Sequence, residues 1–241
     1  MKTALISDIH SNLPALKAVL EDIHQENPDA IYCAGDIVGY GAQPSECIEK
    51  VSEVCETTVA GNHDWGAIGK ANISSLNDWA QKAILWTAEQ ISYNEKRILA
   101  ELPIMAYISD ALIVHGTPKA PENWDYLLYA SQLPAQFAAF SERLCFIGHS
   151  HSPLIWTESG EGLLPYYDRP FILNKSERYI INVGSVGQPR DGDTRSCYVI
   201  FDDENMSVRF KRIEYNIDKA TALIREAGLP EILASRLYLG N

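Results

Sequence analysis

Five of the six histidines in this 241-residue sequence stand beside aspartate, asparagine or glycine at the ends of short apolar runs; only His24, within a helical pattern, does not. Asp8 and His10 are two residues apart, as are His149 and His151. Residues i and i+2 of an extended segment point to the same side, so each pair is expected to grip one centre. Gly35-Asp36 and Gly61-Asn62-His63-Asp64 close two further runs, and His115 closes another. Glycine admits positive φ and close backbone approach, so Gly35, Gly61 and Gly148 are read as turning the next side chain into the site. Imidazole mixed with carboxylate and an amide oxygen suits Mn, Fe, Zn, Ni or Co, whereas an all-oxygen shell would suit magnesium or calcium. The expected ligands are Asp8, His10, Asp36, Asn62, His115, His149 and His151. Only two of them are carboxylates, facing two divalent transition metal ions, which sit ~3.5–4 Å apart in paired-metal sites. The remaining positive charge can draw an anionic phosphate into an acidic protein. A lone Asp-x-His is more often a cap or a hydrogen-bonded pair. Fragments of this kind recurring after successive strands argue instead for one shared centre.

The apolar runs that carry these residues are 4–7, 30–34, 57–60, 111–114 and 144–147, each read as a strand ending in a loop. A sixth, 179–181, precedes Asn182 and the glycine-rich segment 184–187. Between the first two, Leu13, Leu16, Val19, Leu20 and Ile23 recur at helical spacing, with Ser11 or Asn12 as N-cap and Pro14 in the first turn. Strand, helix, strand is the βαβ unit, whose ligand sites gather at the carboxyl ends of parallel strands. Residues 74–102 read as one long helix or two, with Leu76, Trp79, Ala83, Leu85, Trp86 and Ile91 toward the core. Residues 118–134 read as a long loop with a short helix, a candidate lid. The stretches 154–157, 171–174, 179–183, 197–201 and 208–213 read as antiparallel or mixed strands, and 218–227 and 230–239 as closing helices. No linker, low-complexity tract or repeat interrupts the chain, so a single domain over 1–241 is expected.

Twenty lysines and arginines against 32 acidic residues give a net charge of −12 and a pI near 4.9. That balance opposes contact with a polyphosphate backbone and disfavours nucleic acid as a partner. The first apolar stretch is too short for a signal peptide, and no run approaches the roughly 20 residues that cross a bilayer. Five cysteines without a close pair fit a reducing, cytoplasmic setting.

Taken together, Asp8-Ile9-His10, Gly35-Asp36, Gly61-Asn62-His63-Asp64, Val114-His115-Gly116 and Gly148-His149-Ser150-His151 resemble the motif set of the calcineurin-like metallophosphoesterase superfamily. The run Gly35 to Gly41 is similar to the small bacterial and archaeal phosphodiesterases of that group. The resemblance implies an α/β fold, a four-layer αββα sandwich of two mixed β-sheets flanked by helices, with metals at the carboxyl edge. It implies that Asp8, His10 and His151 hold one ion, Asn62, His115 and His149 the other, and that Asp36 bridges them. His63, oriented by Asp64, would face the substrate and protonate the leaving oxygen or stabilise its charge. The implied activity is hydrolysis of a small phosphate mono- or diester, a nucleotide among the options, by in-line attack of a hydroxide between the metals. Many members carry glycine where this chain has Ser11, which changes the local turn but removes no ligand. Asn12, Tyr40 and Arg190, close to the motifs, are expected substrate contacts; Trp65, Trp124 and Tyr126 would stack a base or pack against the body. Two rival readings are a nuclease of the same superfamily, which needs a basic track, and a non-catalytic scaffold, which tends to lose ligands.

Overall fold

A computed structural model describes residues 1–241. Its strands are β1 (Lys2–Ile6), β2 (Ala30–Cys33), β3 (Thr57–Thr58), β4 (Met105–Ile108), β5 (Ala111–Val114), β6 (Leu144–Ile147), β7 (Leu154–Thr157), β8 (Gly162–Leu163), β9 (Pro170–Ile172), β10 (Tyr179–Asn182), β11 (Ser196–Asp202) and β12 (Ser207–Ile213). One sheet runs β3-β2-β1-β11-β12-β9 and the other β4-β5-β6-β10-β7-β8, six strands each. Both are mixed: β1, β2 and β3 pair in parallel, as do β5, β6 and β10, while the remaining pairings are antiparallel. The helices are α1 (Leu13–Glu26), α2 (Pro44–Val54), α3 (Asn62–Ala67), α4 (Asp78–Gln90), α5 (Tyr93–Glu101), α6 (Leu133–Phe137), α7 (Ile217–Glu226) and α8 (Glu231–Ser235).

The parallel strands are nearly continuous apolar runs because both of their faces are covered. Along β1, Leu5 points between the sheets while Ala4 and Ile6 point outward against Leu16, Val19 and Ile23 of α1. In the second sheet Ile113, Phe146 and Ile181 join Leu5 in the inter-sheet core, and Val114, Cys145 and Ile180 face Leu133 and Phe137 of α6. Helix, sheet, sheet, helix is thus the four-layer αββα sandwich expected.

Several local expectations shift. Of run 57–60 only Thr57–Thr58 is strand; Val59 N still donates to Cys33 O of β2, but Ala60 N turns away to Pro103 O. Residues 74–102 form two helices, separated where Ser92 and Glu95 make reciprocal side-chain to backbone hydrogen bonds, a capping box that starts α5. In α4 the buried stripe is Ala80, Ala83, Ile84 and Thr87, leaving Trp79 and Leu85 39% and 56% exposed. Small residues own the contact there, and the bulky ones flank it. The edge strand β4 escapes the apolar pattern because it is mostly only half-buried.

Candidate metal centre

Five loops at strand carboxyl ends converge: those after β1, β2 and β3 in one sheet and after β5 and β6 in the other. They are not extended, as the i, i+2 reading assumed. Asp8, His10, Asp36, His149 and His151 all have left-handed backbone, with φ of 52°, 49°, 54°, 66° and 58°. Such conformations are strained for L-residues and persist where the surroundings over-determine them. Here the surroundings are hydrogen bonds: Asp8 N donates to Gly35 O, His10 N to Asp36 O, and His149 N to the Asp8 carboxylate at 3.0 Å. Of the three motif glycines only Gly35 has positive φ, +92°; Gly61, at −105°, and Gly148 act through close approach. A Cβ on Gly61 would strike Asp36, and one on Gly148 would strike Ser7 and Asp8.

The side chains meet in three groups, Asp8, His10 and His151, then His10, Asp36 and His63, and Asp36, His115 and His149, which overlap at His10 and Asp36 and each have ligand atoms within 4.8 Å of one another. His149 and His151 therefore serve different groups and do not grip one centre as a pair. Asp36 Oδ2 lies 3.6 Å from His10 Nε2 and 3.2 Å from His115 Nε2, between the two halves of the cluster. Its Oδ1 accepts from His63 N at 2.8 Å.

Four of the five imidazoles at the site have one nitrogen on a backbone carbonyl: His10 Nδ1 on Val38, His115 Nδ1 on Ala34, His149 Nε2 on Trp124 and His151 Nδ1 on Gln188, at 2.5–3.1 Å. A carbonyl only accepts, so each of those nitrogens is the N–H and the other one faces inward. The inward nitrogens sit in pairs, His10 Nε2 to His151 Nε2 at 3.0 Å and His149 Nδ1 to His115 Nε2 at 3.2 Å. Burial pushes His10 and His151 well below the usual histidine range, so two bare lone pairs face each other. That contact is repulsive unless a cation lies between them. Two nitrogens each ~2.1 Å from one metal, at angles of ~90–110°, stand about 3.0–3.4 Å apart. The backbone acceptors are the partners that orient metal-bound histidines.

Charge and orphaned atoms agree with that fit. Burial drives His149 down to about 3 and Asp8 up to about 7. Burial also works against a charged His115, but the Asp36 carboxylate outweighs it and holds the imidazolium to about 9, while His115 in turn keeps Asp36 well below its ordinary value despite burial. Without a metal, a proton on His115 supplies the missing positive charge. Asn62 Oδ1 and His63 Nδ1 are buried with no hydrogen-bond partner. An amide oxygen without a donor beside four imidazoles and two carboxylates is a donor set that suits divalent transition metals.

The sequence profile described as the calcineurin-like phosphoesterase superfamily domain matches residues 1–206. The chain belongs to this superfamily. It is therefore a phosphoric ester hydrolase of a family that depends on divalent metal. An uncharacterized protein of Methanocaldococcus jannaschii is 42% identical over 99% of this chain and 98% of its own length. A metallophosphoesterase from Sphaerobacter thermophilus superposes with a TM-score of 0.90 at 42% identity, covering 100% of this chain and 99% of that one. A hypothetical protein from Pyrococcus horikoshii shares the fold, with a TM-score of 0.81 at 20% identity over 100% of this chain and 98% of that one.

The rest of this phosphoesterase's site departs in places from what the motifs suggest. Asp64 does not touch the His63 ring; Oδ2 accepts from Asp36 N and Gly61 N, and Oδ1 from Val38 N. It orients the loops, and so corrects the expectation that it steers His63. Asn12 is likewise no free contact, since Oδ1 caps α1 through Ala15 N and Nδ2 donates to Gly187 O. Tyr40 and Arg190 do reach the centre. The Tyr40 ring lies 4.6 Å from His10 and 4.4 Å from His63, and the Arg190 guanidinium is 5.6 Å from the Tyr40 ring. His63 itself stands 4.8 Å from His10, in space left by Gly39, at φ +91°.

Segment 118–134 holds short 3-10 turns at Pro121–Asn123 and Ala130–Gln132 before α6. Its aromatics touch protein: Tyr126 stacks on His149 at 4.0 Å, and Trp124 meets Trp65 edge-on at 5.5 Å. A cavity of about 180 Å³ opens beside this half of the site, lined by Asn62, Asn72, Ser75, Asn123, Trp124 and Tyr126 among others. Sequence spacing carried no signal for Asn72, Ser75 or Asn123, or for the carbonyls of Trp124 and Gln188. No helix is long and apolar enough to cross a membrane.

Proposed function

We propose that Asp8, His10 and His151 hold one divalent cation, that Asn62, His115 and His149 hold a second, that Asp36 bridges them, and that this centre hydrolyses a phosphate mono- or diester. The observation that carries the reading is the pairing of inward-facing imidazole nitrogens at 3.0 Å and 3.2 Å, the first pair bare of protons, around one carboxylate oxygen. Bound there, paired cations supply Lewis acidity toward the phosphoryl oxygens and a water acidic enough to attack phosphorus at neutral pH. The chain's own residues do the rest. The carbonyls of Val38, Ala34, Trp124 and Gln188 fix the tautomers of the four imidazoles they hold, so no reorganisation accompanies binding. His63, buried beside Tyr40 with Nδ1 unpartnered, offers a ring N–H to the departing oxygen. The cavity beside Asn62 and His149 receives the leaving group through amides and aromatic faces.

Residues 1–241 act as one unit in this reading, because β11 lies between β1 and β12 and so braces the strand that carries Asp8. Five free cysteines, four of them buried, suit the cytosol. The test is a screen of phosphomonoesters, diesters and nucleotides against Mn, Fe, Zn, Ni and Co, with chelator-stripped protein as control and duplex and single-stranded DNA alongside. Turnover restored by metal is expected, with DNA left intact. Protein that retains no transition metal and cleaves no ester would refute the reading.

A further inference from the structure

Four imidazoles of the site are tethered by a ring nitrogen to a backbone carbonyl, and His63 is not. Its Nδ1 is buried without a partner, and Asp64 has both carboxylate oxygens on loop amides. A ring without a polar tether is aimed by what packs against it, since a buried side chain changes rotamer only when its neighbours give way. Three neighbours stand there. Gly39, at φ +91°, admits the edge that carries Nδ1, where a Cβ would strike that atom. The His10 ring lies at 4.8 Å and the Tyr40 ring at 4.4 Å, inclined to His63 by 79° and 53°. His10 is itself fixed through Val38 O at 3.1 Å. Tyr40 is the wall that something else must hold.

That support comes from the last elements of the fold. Tyr40, buried and with φ +58°, belongs to one apolar cluster with Ala220 and Ile224 of α7, Leu233 and Ala234 of α8, and Leu237 of the 3-10 turn Arg236–Tyr238. Ala220 and Leu223 also line one small void with Ser11, Gly41 and Ala42, so α7 sits against the continuations of the loops after β1 and β2. The three elements form a cap tied to itself: Arg225 Nη2 donates to Glu231 Oε1 at 2.7 Å, and the Tyr238 hydroxyl to Asp218 Oδ1 at 2.6 Å. Its far end is docked where Gly192 N donates to Gly240 O at 2.9 Å. The cap lies beyond residues 1–206 that the superfamily profile matches, and it supplies no side chain to the three ligand groups.

We propose that Tyr40, backed by the cap of α7, α8 and the final 3-10 turn, is a positioning residue that aims His63 at the departing oxygen. The inference rests on the phosphoesterase reading above and says what holds its proton donor in place. As the P–O bond to the leaving group breaks, the electron pair passes to the departing oxygen and the His63 ring N–H supplies the proton. A leaving group that is unstable as an anion needs that proton; one that is stable as an anion does not. Displacing the ring by about 1 Å costs up to about 10²-fold in rate, so the packing behind it has kinetic weight.

The test measures kcat on two esters that differ only in leaving group, a phenyl ester and its dinitrophenyl counterpart, as monoesters or methyl diesters according to which the manganese-loaded native chain cleaves. Dinitrophenolate departs without a proton, so the ratio of phenyl to dinitrophenyl rates reads the donor. A smaller folded or metal-loaded fraction scales both rates and cancels. Tyr40→Leu should lower the ratio at least about tenfold, in the same direction as His63→Ala. Tyr40→Phe, which keeps the ring, should hold the native ratio whatever happens to the absolute rates. Leu237→Ala, made in the cap itself, should lower the ratio by about threefold or more when assayed well below its melting temperature. An unchanged ratio in Tyr40→Leu, or in a folded Leu237→Ala protein, overturns the proposal, because the cap would then serve stability alone. A native ratio in His63→Ala removes the donor, and the proposal with it, but leaves the metal centre standing. If the native chain cleaves neither ester with any of the metals, the phosphoesterase reading falls as well.

Discussion

Asp64 spends both carboxylate oxygens on backbone amides of three loop residues, Asp36, Val38 and Gly61, while its neighbour His63 leaves a buried ring nitrogen without a partner. Adjacent residues of one motif therefore do different work, and substitution should separate them. His63→Ala should lower kcat by roughly 10²- to 10⁴-fold, the usual worth of a positioned proton donor, with the metal content equal to that of the native chain. Asp64→Ala should instead leave three buried N–H groups unsatisfied, at about 1–3 kcal/mol each, and release Asp36 from its place between the histidines. Elemental analysis should find the Asp64→Ala protein depleted of metal, and urea unfolding should find it destabilised by about 3 kcal/mol or more. Equal metal content in the two variants would contradict this division. Residue types and spacing were enough to mark both positions as part of the site. They could not tell which amides a carboxylate would satisfy, because those amides belong to loops folded against it from other strands.

At the scale of elements, the proposed metal ligands are held by loop-to-loop contact. Gly148 allows the loop after β6 to lie directly on Ser7 and Asp8 of the loop after β1, in the opposite sheet. Gly148→Ala puts a methyl group into that contact, and the loops must part by a distance that the short Asp8 to His151 approach, 3.2 Å, does not tolerate. The variant should keep its fold by circular dichroism but bind metal at least tenfold more weakly, at a cost of ~1.4 kcal/mol or more. Unchanged affinity would mean that the two sheets are free to shift. Asn12 belongs to the same scale. As the cap of α1 and donor to Gly187 O, its replacement by alanine should cost about 1 kcal/mol in stability and act on melting temperature more than on KM. Strand ends and the first helix were legible because apolar runs meet polar loops abruptly there. The phase of α4 and the strand β4 were not: a helix whose contact face is alanine hides its stripe, and a half-exposed edge strand has little apolar contrast.

For the whole molecule, the pairing that sequence could not reveal is the one that ties distant segments together, since β11 inserts next to β1 across nearly two hundred residues of chain. The outer side of that junction is closed by Glu26, at the end of α1, which receives Lys2 from β1 and Arg209 and Lys211 from β12 at 2.5–3.0 Å. Burial alone would raise the Glu26 pKa, but these three cations outweigh it and hold the carboxyl at about 2 against an ordinary value of 4.5. The folded protein thus binds fewer protons at this position than the unfolded chain does between those values. The stabilisation is fully present above about pH 4.5 and drains away as pH falls toward about 2. Glu26→Gln should be less stable than the native chain at pH 7, and the gap in urea midpoint should close steadily between pH 4.5 and 3. Other carboxylates titrate in the same range in both proteins, so the difference between the two curves isolates Glu26. Curves that stay parallel through that interval would show that the cluster contributes no pH-dependent stability, leaving apolar packing alone to hold α1 across β1 and β12. High salt should narrow the gap only in part, because the Glu26 side chain is just 15% exposed and its partners lie in contact with it.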